Sequence, residues 1–260
     1  MPDPVHSFDG VPIAYETHGE GAPALVLVHG WSCDRSYWAA QIEPLARALR
    51  VVAVDLAGHG ESGLEREAWT IAAFGADVAA VVDTLGLDRV VLVGHSMGGD
   101  VILEAARRLP GRVAGLVWVD VYKRLGTPRT VEQVRRFMAP FQDEFREATR
   151  VFVRNMFPAE ADPALVERVV SDMAAAPPSI AIAAMHAATT YDREVREVLD
   201  HLGLPRVAIN PEQPPTDLES MKRHGFDVVL MPGVGHFPMM EDPERFNALL
   251  REVVEARWVG

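Results

Sequence analysis

A serine stands between two glycines in the segment Gly94-His95-Ser96-Met97-Gly98, directly after the apolar run at 90–93. The segment fits G-x-S-x-G, and a helical pattern follows it at 97–109. A serine at such a strand-to-helix turn has a cramped backbone, and glycine two residues away on either side removes clashes. The turn also puts the hydroxyl at a helix N-terminus, which favours negative charge. These features predict a nucleophile at Ser96, the alternative being an incidental serine in a tight turn.

A serine hydroxyl is a weak nucleophile until a base accepts its proton. His236 is the candidate base, because it follows a strand pattern at 227–231 and a Gly-Val-Gly turn and precedes the last helical pattern. An ordinary surface histidine is the alternative. His29, His59 and His95 lie inside turn motifs and are interpreted as structural.

The elements that must position these residues alternate between strand and helix. Strand patterns occur at 11–18, 24–29, 51–55, 90–94, 115–120, 206–210 and 227–231, and helical patterns at about 38–49, 70–85, 97–109 and 242–257. Most strand patterns are apolar throughout, which is typical of parallel strands covered on both faces. The alternation predicts an α/β fold.

One interval, from 121 to 192, interrupts this alternation. It carries three amphipathic helical patterns, the first expected to kink or break at Pro140, and no clear strand pattern. We therefore expect a helical insertion over the carboxyl edge of the sheet. The core would then consist of residues 1–120 and 193–260.

The charge balance argues against several classes of partner. The formal net charge is −12, with 37 acidic against 25 basic residues. Such a chain repels nucleic acid and has no attraction for anionic membrane surfaces. We therefore expect neither a nucleic-acid nor a membrane partner.

The remaining composition indicates the compartment and the chemistry. Cys33 is the single cysteine, so no intrachain disulfide can form. The first residues lack the pattern of a secretory signal, and no apolar run reaches the roughly 18 to 20 residues that span a bilayer. We expect a cytoplasmic protein. No CxxC, HExxH or EF-hand-like spacing occurs, so neither a metal nor a cofactor is expected.

The sequence resembles the α/β-hydrolase family over essentially its whole length. The resemblance rests on LVHGW (27–31), VDLAGHGES (54–62), VGHSMGG (93–99) and MPGVGHFPMMEDPERF (231–246). It implies a mostly parallel sheet of about eight strands with helices on both faces and a small helical cap. It also implies Ser96 as nucleophile, His236 as base, and an oxyanion hole formed by the backbone N–H groups of Trp31 and Met97.

The acid that should orient the histidine is less clearly marked. The family usually places it after the next-to-last strand, where INPEQPPTDLE lacks the expected aspartate and offers Glu212 and then Asp217. A subset of the family has the acid one strand earlier, and here Asp120 ends the run GLVWVD. We predict Asp120, with Glu212 as the alternative acid and Asp217 as a weaker one. An N-cap or turn aspartate would be the structural interpretation of Asp120.

A serine at position 96 favours acyl transfer, because relatives that displace halide or open epoxides carry aspartate there. The sequence therefore predicts a serine esterase that acts on a small or medium ester, lactone or related carbonyl compound through an acyl-enzyme. Alternatives are a carbon–carbon bond hydrolase, a cofactor-independent dioxygenase that uses a His/Asp pair as base, and a non-enzymatic receptor. HGWSCD (29–34) and Asp120 also resemble the dioxygenases.

The substrate pocket is expected to be mostly apolar and partly formed by the insertion. The expected lining residues are Trp31, His29, Cys33, Phe137, Phe141, Met185 and Phe237. The expected partner is a small ester-like molecule. The sequence leaves the oligomeric state open, with a homodimer as one candidate.

Overall fold

The computed structural model describes residues 5–123, 125 and 128–259. Its strands are β1 (Val5–His6), β2 (Pro12–Ile13), β3 (Tyr15–His18), β4 (Ala24–Val28), β5 (Val51–Val54), β6 (Val90–His95), β7 (Val113–Val119), β8 (Arg206–Pro211) and β9 (Phe226–Met231). The main sheet has the order β3-β5-β4-β6-β7-β8-β9. Only β3 runs antiparallel to its neighbour, and the other pairs are parallel.

Strands β4, β5 and β6 are buried along their whole length. Their β-branched and other apolar residues therefore pack against covering layers on both faces of the sheet, as the uninterrupted apolar patterns predict. The α/β class and the mostly parallel sheet are confirmed.

The first strand pattern is divided in the structure. Pro12–Ile13 pairs with Val5–His6 in a separate two-stranded sheet, and only Tyr15–His18 joins the main sheet. The division falls at Ala14, whose N–H donates to the Ser62 hydroxyl and whose carbonyl accepts the Asp55 N–H. The described residues thus form a main sheet of seven strands, where about eight were expected.

The helices are α1 (Ala39–Ala46), α2 (Ile71–Thr84), α3 (Met97–Arg108), α4 (Val131–Asp143), α5 (Phe145–Arg154), α6 (Pro163–Met173), α7 (Pro178–Tyr191), α8 (Val195–Leu202), α9 (Leu218–Arg223), α10 (Pro238–Glu241) and α11 (Pro243–Trp258). Helix α3 packs against α2 and α8, whereas α1 packs against α11. None of the described helices combines the length and apolar character needed to cross a bilayer.

Helices α4 to α7, which we call the helical insertion, follow β7 and precede α8 in the chain. Helix α4 packs against α5 and α7, and α5 also packs against α6. Of the expected kink or break at Pro140, the break is wrong, because α4 continues through Pro140 to Asp143 and the chain turns at Glu144. Proline lacks an N–H, but the Pro140 carbonyl still accepts the Glu144 N–H at 3.0 Å and extends the helix. The division into a core and a cap at 121–192 stays a prediction.

Candidate active site

Ser96 lies at the junction of β6 and α3 in a conformation that side chains rarely adopt. Its backbone has φ 51° and ψ −123°. The Ser96 N–H donates to the Val119 carbonyl at 3.1 Å, and the Ser96 carbonyl accepts the Gly99 N–H at 2.8 Å. These bonds hold a backbone conformation that costs about 1 to 3 kcal/mol. The hydroxyl makes no hydrogen bond within the described residues and lines a cavity.

The two glycines of the turn are required by close backbone contacts. A Cβ atom at Gly94 would lie 2.3 Å from the Gly98 carbonyl oxygen. A Cβ atom at Gly98 would lie 2.5 Å from the Val28 carbonyl oxygen, on the neighbouring strand β4. Both distances are too short for a side chain, so the steric reason inferred for the G-x-S-x-G spacing holds in the structure.

Asp120 and His236 meet at the same cavity. The Asp120 Oδ2 atom lies 2.7 Å from His236 Nδ1. Asp120 directly follows β7 at φ 46°, and its N–H donates to the Ile209 carbonyl at 3.0 Å. Its other oxygen lies 2.7 Å from the Lys123 ammonium. When Nδ1–H donates to the carboxylate, the imidazole Nε2 is left free to accept a proton.

The charge state of Asp120 follows from two opposing effects. Burial raises the pKa of the carboxyl, but its hydrogen bonds and charge interactions with His236 and Lys123 outweigh burial and hold that pKa below the ordinary value. Asp120 is therefore an anion at neutral pH, and it can stabilise a protonated imidazole beside it.

The backbone of His236 is held from two sides. Its N–H donates to the Met156 carbonyl at 3.0 Å, and its carbonyl accepts from His95 Nε2 at 2.7 Å. Burial and the neighbouring His236 lower the pKa of His95 to about 3, so His95 is a neutral donor. This assigns His95 a structural role, as predicted from its place in a turn motif.

Glu241 braces the same loop through the peptides on either side of His236. Its two carboxylate oxygens accept the Gly235 N–H at 2.8 Å and the Phe237 N–H at 2.9 Å. Burial raises the pKa of Glu241, against the effect of these two bonds. Glu241 thus fixes the position of His236 without contact with the cavity.

Two backbone N–H groups are available beside Ser96. Neither Trp31 N–H nor Met97 N–H donates a hydrogen bond to another described residue. The loop that carries Trp31 turns sharply, with φ 53° at Ser32. The Trp31 indole N–H donates to the Ala181 carbonyl at 2.7 Å and so joins this loop to helix α7 of the insertion.

The cavity at Ser96 has a volume of about 550 Å³, within the range of small-molecule sites. Five of the predicted lining residues border it: Trp31, Cys33, Phe137, Met185 and Phe237. The lining also has charged and phenolic groups that the expectation of a mostly apolar pocket did not include. We call these the polar cluster; they are Asp100, Asp120, Tyr122, Lys123, Arg129 and Asp192.

Two predicted lining residues do not border the cavity. His29 is fully buried, and its Nε2 accepts the Leu56 N–H at 3.0 Å, so its ring ties the loop after β4 to the loop after β5. Burial lowers the pKa of His29 to about 4. Phe141 packs edge-on against Trp31, with ring centroids 5.7 Å apart, and therefore supports the lining from behind.

Neither alternative acid lies at His236. Glu212 is exposed, and its N–H donates to the Met231 carbonyl at 3.3 Å. Asp217 caps α9 by accepting the Ser220 N–H at 2.9 Å. The structure therefore brings Asp120, rather than a residue after β8, together with His236.

Five charged residues of the site were not found from the sequence: Asp100, Lys123, Arg129, Asp192 and Glu241. Asp100 lies four residues after Ser96, and Lys123 lies three residues after Asp120, but this spacing alone does not distinguish either from other polar residues of the chain. Glu241 follows His236 by five residues, but its contact depends on the short helix α10. Within the described residues, no group of three His, Cys, Asp or Glu side chains could hold a metal ion.

One family model matches most of the chain. The model is described as "Alpha/beta hydrolase family", and it matches residues 25–249. Among curated proteins, 112 residues are 38% identical to the dihydrolipoyllysine-residue acetyltransferase component of the acetoin cleaving system of Cupriavidus necator. That match covers 43% of this chain and 30% of the relative, so the chain spans less than a third of that protein.

Two other comparisons extend over nearly the whole chain. The pimeloyl-[acyl-carrier protein] methyl ester esterase of Edwardsiella ictaluri is 27% identical over 260 residues, covering 94% of this chain and 98% of that protein. A malate-bound thermophilic esterase from Thermogutta terrifontis has a similar structure, with a TM-score of 0.84 and 30% identity. That match covers 97% of both chains.

Proposed function

Since this chain belongs to the alpha/beta hydrolase family, we propose that it is a serine hydrolase that cleaves a small or medium carboxylic ester, a lactone or a related carbonyl compound. The observation that carries the proposal is the 2.7 Å contact between His236 and Asp120 at a cavity that Ser96 also lines. The esterase names of two similar proteins support the same reaction class.

In the first step, Ser96 Oγ forms a bond to the carbonyl carbon of the ester and its proton passes to His236 Nε2. The π electrons of the carbonyl move to its oxygen. The Trp31 and Met97 N–H groups are the proposed donors for that oxyanion, and their lack of other partners among the described residues supports this role. Because both groups belong to the backbone, they are in place before charge develops.

The tetrahedral intermediate then collapses. The bond between the carbon and the alkoxide oxygen breaks, and His236 gives its proton to that oxygen, so an alcohol leaves and an acyl-serine remains. Water repeats the sequence: it loses a proton to His236, attacks the acyl carbon, and releases the acid as Ser96 regains its proton. The overall change is hydrolysis of one ester bond, with no redox partner required.

Asp120 is the proposed third member of this set. Its carboxylate holds the imidazole in the tautomer that leaves Nε2 free, and it stabilises the imidazolium formed in each step. Its low pKa supports this role, since the carboxylate stays ionised beside the histidine. Lys123 and Glu241 then act indirectly, by holding the acid and the histidine loop.

The experiment is turnover of short p-nitrophenyl esters by wild type and Ser96→Ala, with a phosphonate that traps active serines. We expect Ser96→Ala to lose more than about 10³-fold in kcat and to take up no phosphonate, because no other group can form the acyl-enzyme. The matched control is Ser179→Ala, which alters an exposed serine at the start of α7.

Two outcomes would contradict the proposal. If Ser96→Ala keeps more than a few per cent of the wild-type activity, the reaction does not proceed through an acyl-enzyme on Ser96. Oxygen consumption by the wild type with an acidic heterocyclic substrate, combined with no ester cleavage, would favour the dioxygenase interpretation of the His236–Asp120 pair.

A further inference from the structure

Asp100 is a buried acid beside the proposed nucleophile. It lies in the first turn of α3, four residues after Ser96, and both residues line the same cavity. The residue is 7% exposed, and what remains accessible belongs to the lining of the cavity. The mechanism proposed above gives this carboxyl group no task.

Within the described residues, only one of the two carboxyl oxygens of Asp100 has a hydrogen bond. Its Oδ1 atom accepts a hydrogen bond from the Tyr122 hydroxyl. Its Oδ2 atom makes no hydrogen bond with any residue that the structure describes, so this oxygen is free to bind a group in the cavity. Burial of a carboxylate costs free energy when one of its oxygens has no hydrogen bond and no cation is paired with it. A ligand that donates a hydrogen bond to this oxygen would reduce that cost.

The other charges of the polar cluster are already paired. Lys123 lies 2.7 Å from Asp120, and Arg129 lies 2.7 Å from Asp192. Within the described lining, three aspartates therefore face two cationic side chains, and Asp100 is the acid left without a cation.

The protonation of Asp100 is sensitive to such a charge. Burial raises the pKa of Asp100 to about 7, the Tyr122 hydrogen bond and Arg129 lower it, and Asp192 raises it further. The group therefore titrates near neutral pH, where a bound cation would favour its ionised form. The N-terminal end of α3 also favours the negative charge.

We propose that Asp100 binds a protonated amine of the substrate, so that the preferred ester carries an ammonium group a few bonds from the carbonyl attacked by Ser96. The ammonium N–H would donate to the free Oδ2 atom while the Tyr122 hydroxyl holds Oδ1. The inference rests on the proposed ester hydrolysis, because Ser96 defines where the carbonyl must lie. It adds a substrate class that the hydrolase chemistry alone does not specify.

The test uses pairs of esters that differ only by nitrogen for carbon. One pair is 2-(dimethylamino)ethyl acetate and 3-methylbutyl acetate, and the other is ethyl 4-(dimethylamino)butanoate and ethyl 5-methylhexanoate. We expect wild type at pH 8 to prefer the amine in at least one pair by about tenfold in kcat/KM. Asp100→Asn, which keeps an acceptor for Tyr122, should reduce that ratio to about one.

The control is Asp143→Asn, which removes one negative charge at an exposed position at the end of α4, outside the cavity lining. The ammonium preference should persist in this variant. An equal ratio in wild type and Asp100→Asn would overturn the inference, as would an equal loss of the preference in Asp143→Asn. The ratio is read within each variant, so a general loss of activity does not affect it.

Wild type provides a second test that needs no substitution at Asp100. The preference for the amine should fall as the pH is lowered from 8 to 5, because Asp100 gains a proton while the amine stays protonated. Tyr122, Tyr191, Arg129 and Asp192 are the described charged or titratable groups around it. A ratio that does not change over this range would contradict the inference.

Binding separates this inference from the proposed function. If wild type cleaves the neutral esters, the proposed function stands and the ratios decide the role of Asp100. If it cleaves none, calorimetric titration of Ser96→Ala with 2-(dimethylamino)ethyl acetate still tests the site. We expect Asp100→Asn in that background to weaken binding about tenfold, and equal Kd values would refute the ammonium site.

Discussion

Two neighbouring strand ends of the sheet carry different chemistry. Strands β7 and β8 are parallel and in register at Val119 and Ile209, so their carboxyl ends lie side by side. After β7 comes Asp120, buried and in contact with His236. After β8 comes Glu212, which is exposed. Adjacency to the site is thus not sufficient, because an acid acts on an imidazole only where burial and a hydrogen bond hold it there.

The end of β8 instead supports the loop after β7. Asn210 is fully buried, and its side-chain amide donates to the Tyr122 carbonyl at 2.9 Å and to the Thr216 hydroxyl at 3.1 Å. The Lys123 ammonium also donates to the Pro211 carbonyl at 3.2 Å. The end of β7 therefore supplies the carboxylate that contacts His236, and the end of β8 holds the loop that follows Asp120.

The largest expected effect separates the two carboxylates directly. Asp120→Asn should lower kcat for ester hydrolysis by about 10³- to 10⁴-fold, because an amide at this place favours the wrong imidazole tautomer. Glu212→Gln, the matched control after β8, should change kcat less than about twofold. The measurement is steady-state hydrolysis of a p-nitrophenyl ester, and the reverse ranking would move the acid to the end of β8.

The next effect tests the supporting role of β8. Asn210→Ala removes both amide hydrogen bonds and leaves the buried Tyr122 carbonyl without this donor. We expect a loss of about 1 to 3 kcal/mol in the free energy of unfolding. Urea denaturation followed by circular dichroism measures it. An unchanged transition midpoint would mean that the loop after β7 does not depend on β8.

The smallest expected effect concerns the cation beside Asp120. The pKa of Asp120 is lowered in the folded protein, so its ionised carboxylate stabilises the folded state. This stabilisation is fully present above the unfolded pKa of about 3.9, and it is lost as the pH falls through the folded pKa. Lys123→Met removes one lowering influence, so the variant should unfold at a slightly higher pH than wild type in an acid titration. Lys222→Met, at an exposed position, serves as control. Coincident acid transitions of wild type and Lys123→Met would argue against a role for this ion pair.

The sheet could be predicted because its signals are local. Uninterrupted apolar runs such as 24–29 and 90–94 specify buried parallel strands whatever the rest of the chain does. The division of the first strand pattern could not be read in this way, since it depends on Ser62 and Asp55, far along the chain. The position of the turn after α4 could not be predicted either, because it depends on the hydrogen bond that the Pro140 carbonyl accepts from the Glu144 N–H.

The site was predictable to the extent that a turn motif defines it. Ser96 has a spacing that only a close-packed turn requires, and His236 follows a strand end. The residues that line the cavity have no such sequence signal. The helical pattern around Phe141, for example, does not show whether the Phe141 ring faces the cavity or packs behind Trp31. Asp100 resembled any polar residue of a helix until its burial and its single hydrogen-bond partner were known.

The bond from the His236 N–H to the Met156 carbonyl has a consequence for protein engineering. Met156 follows α5, so a peptide group from the helical insertion forms part of the histidine loop. A chimera that replaced this insertion with that of another hydrolase would lose the acceptor, unless the graft presented a carbonyl at the same point. Exchange of substrate preference between such proteins is therefore constrained by a single main-chain oxygen.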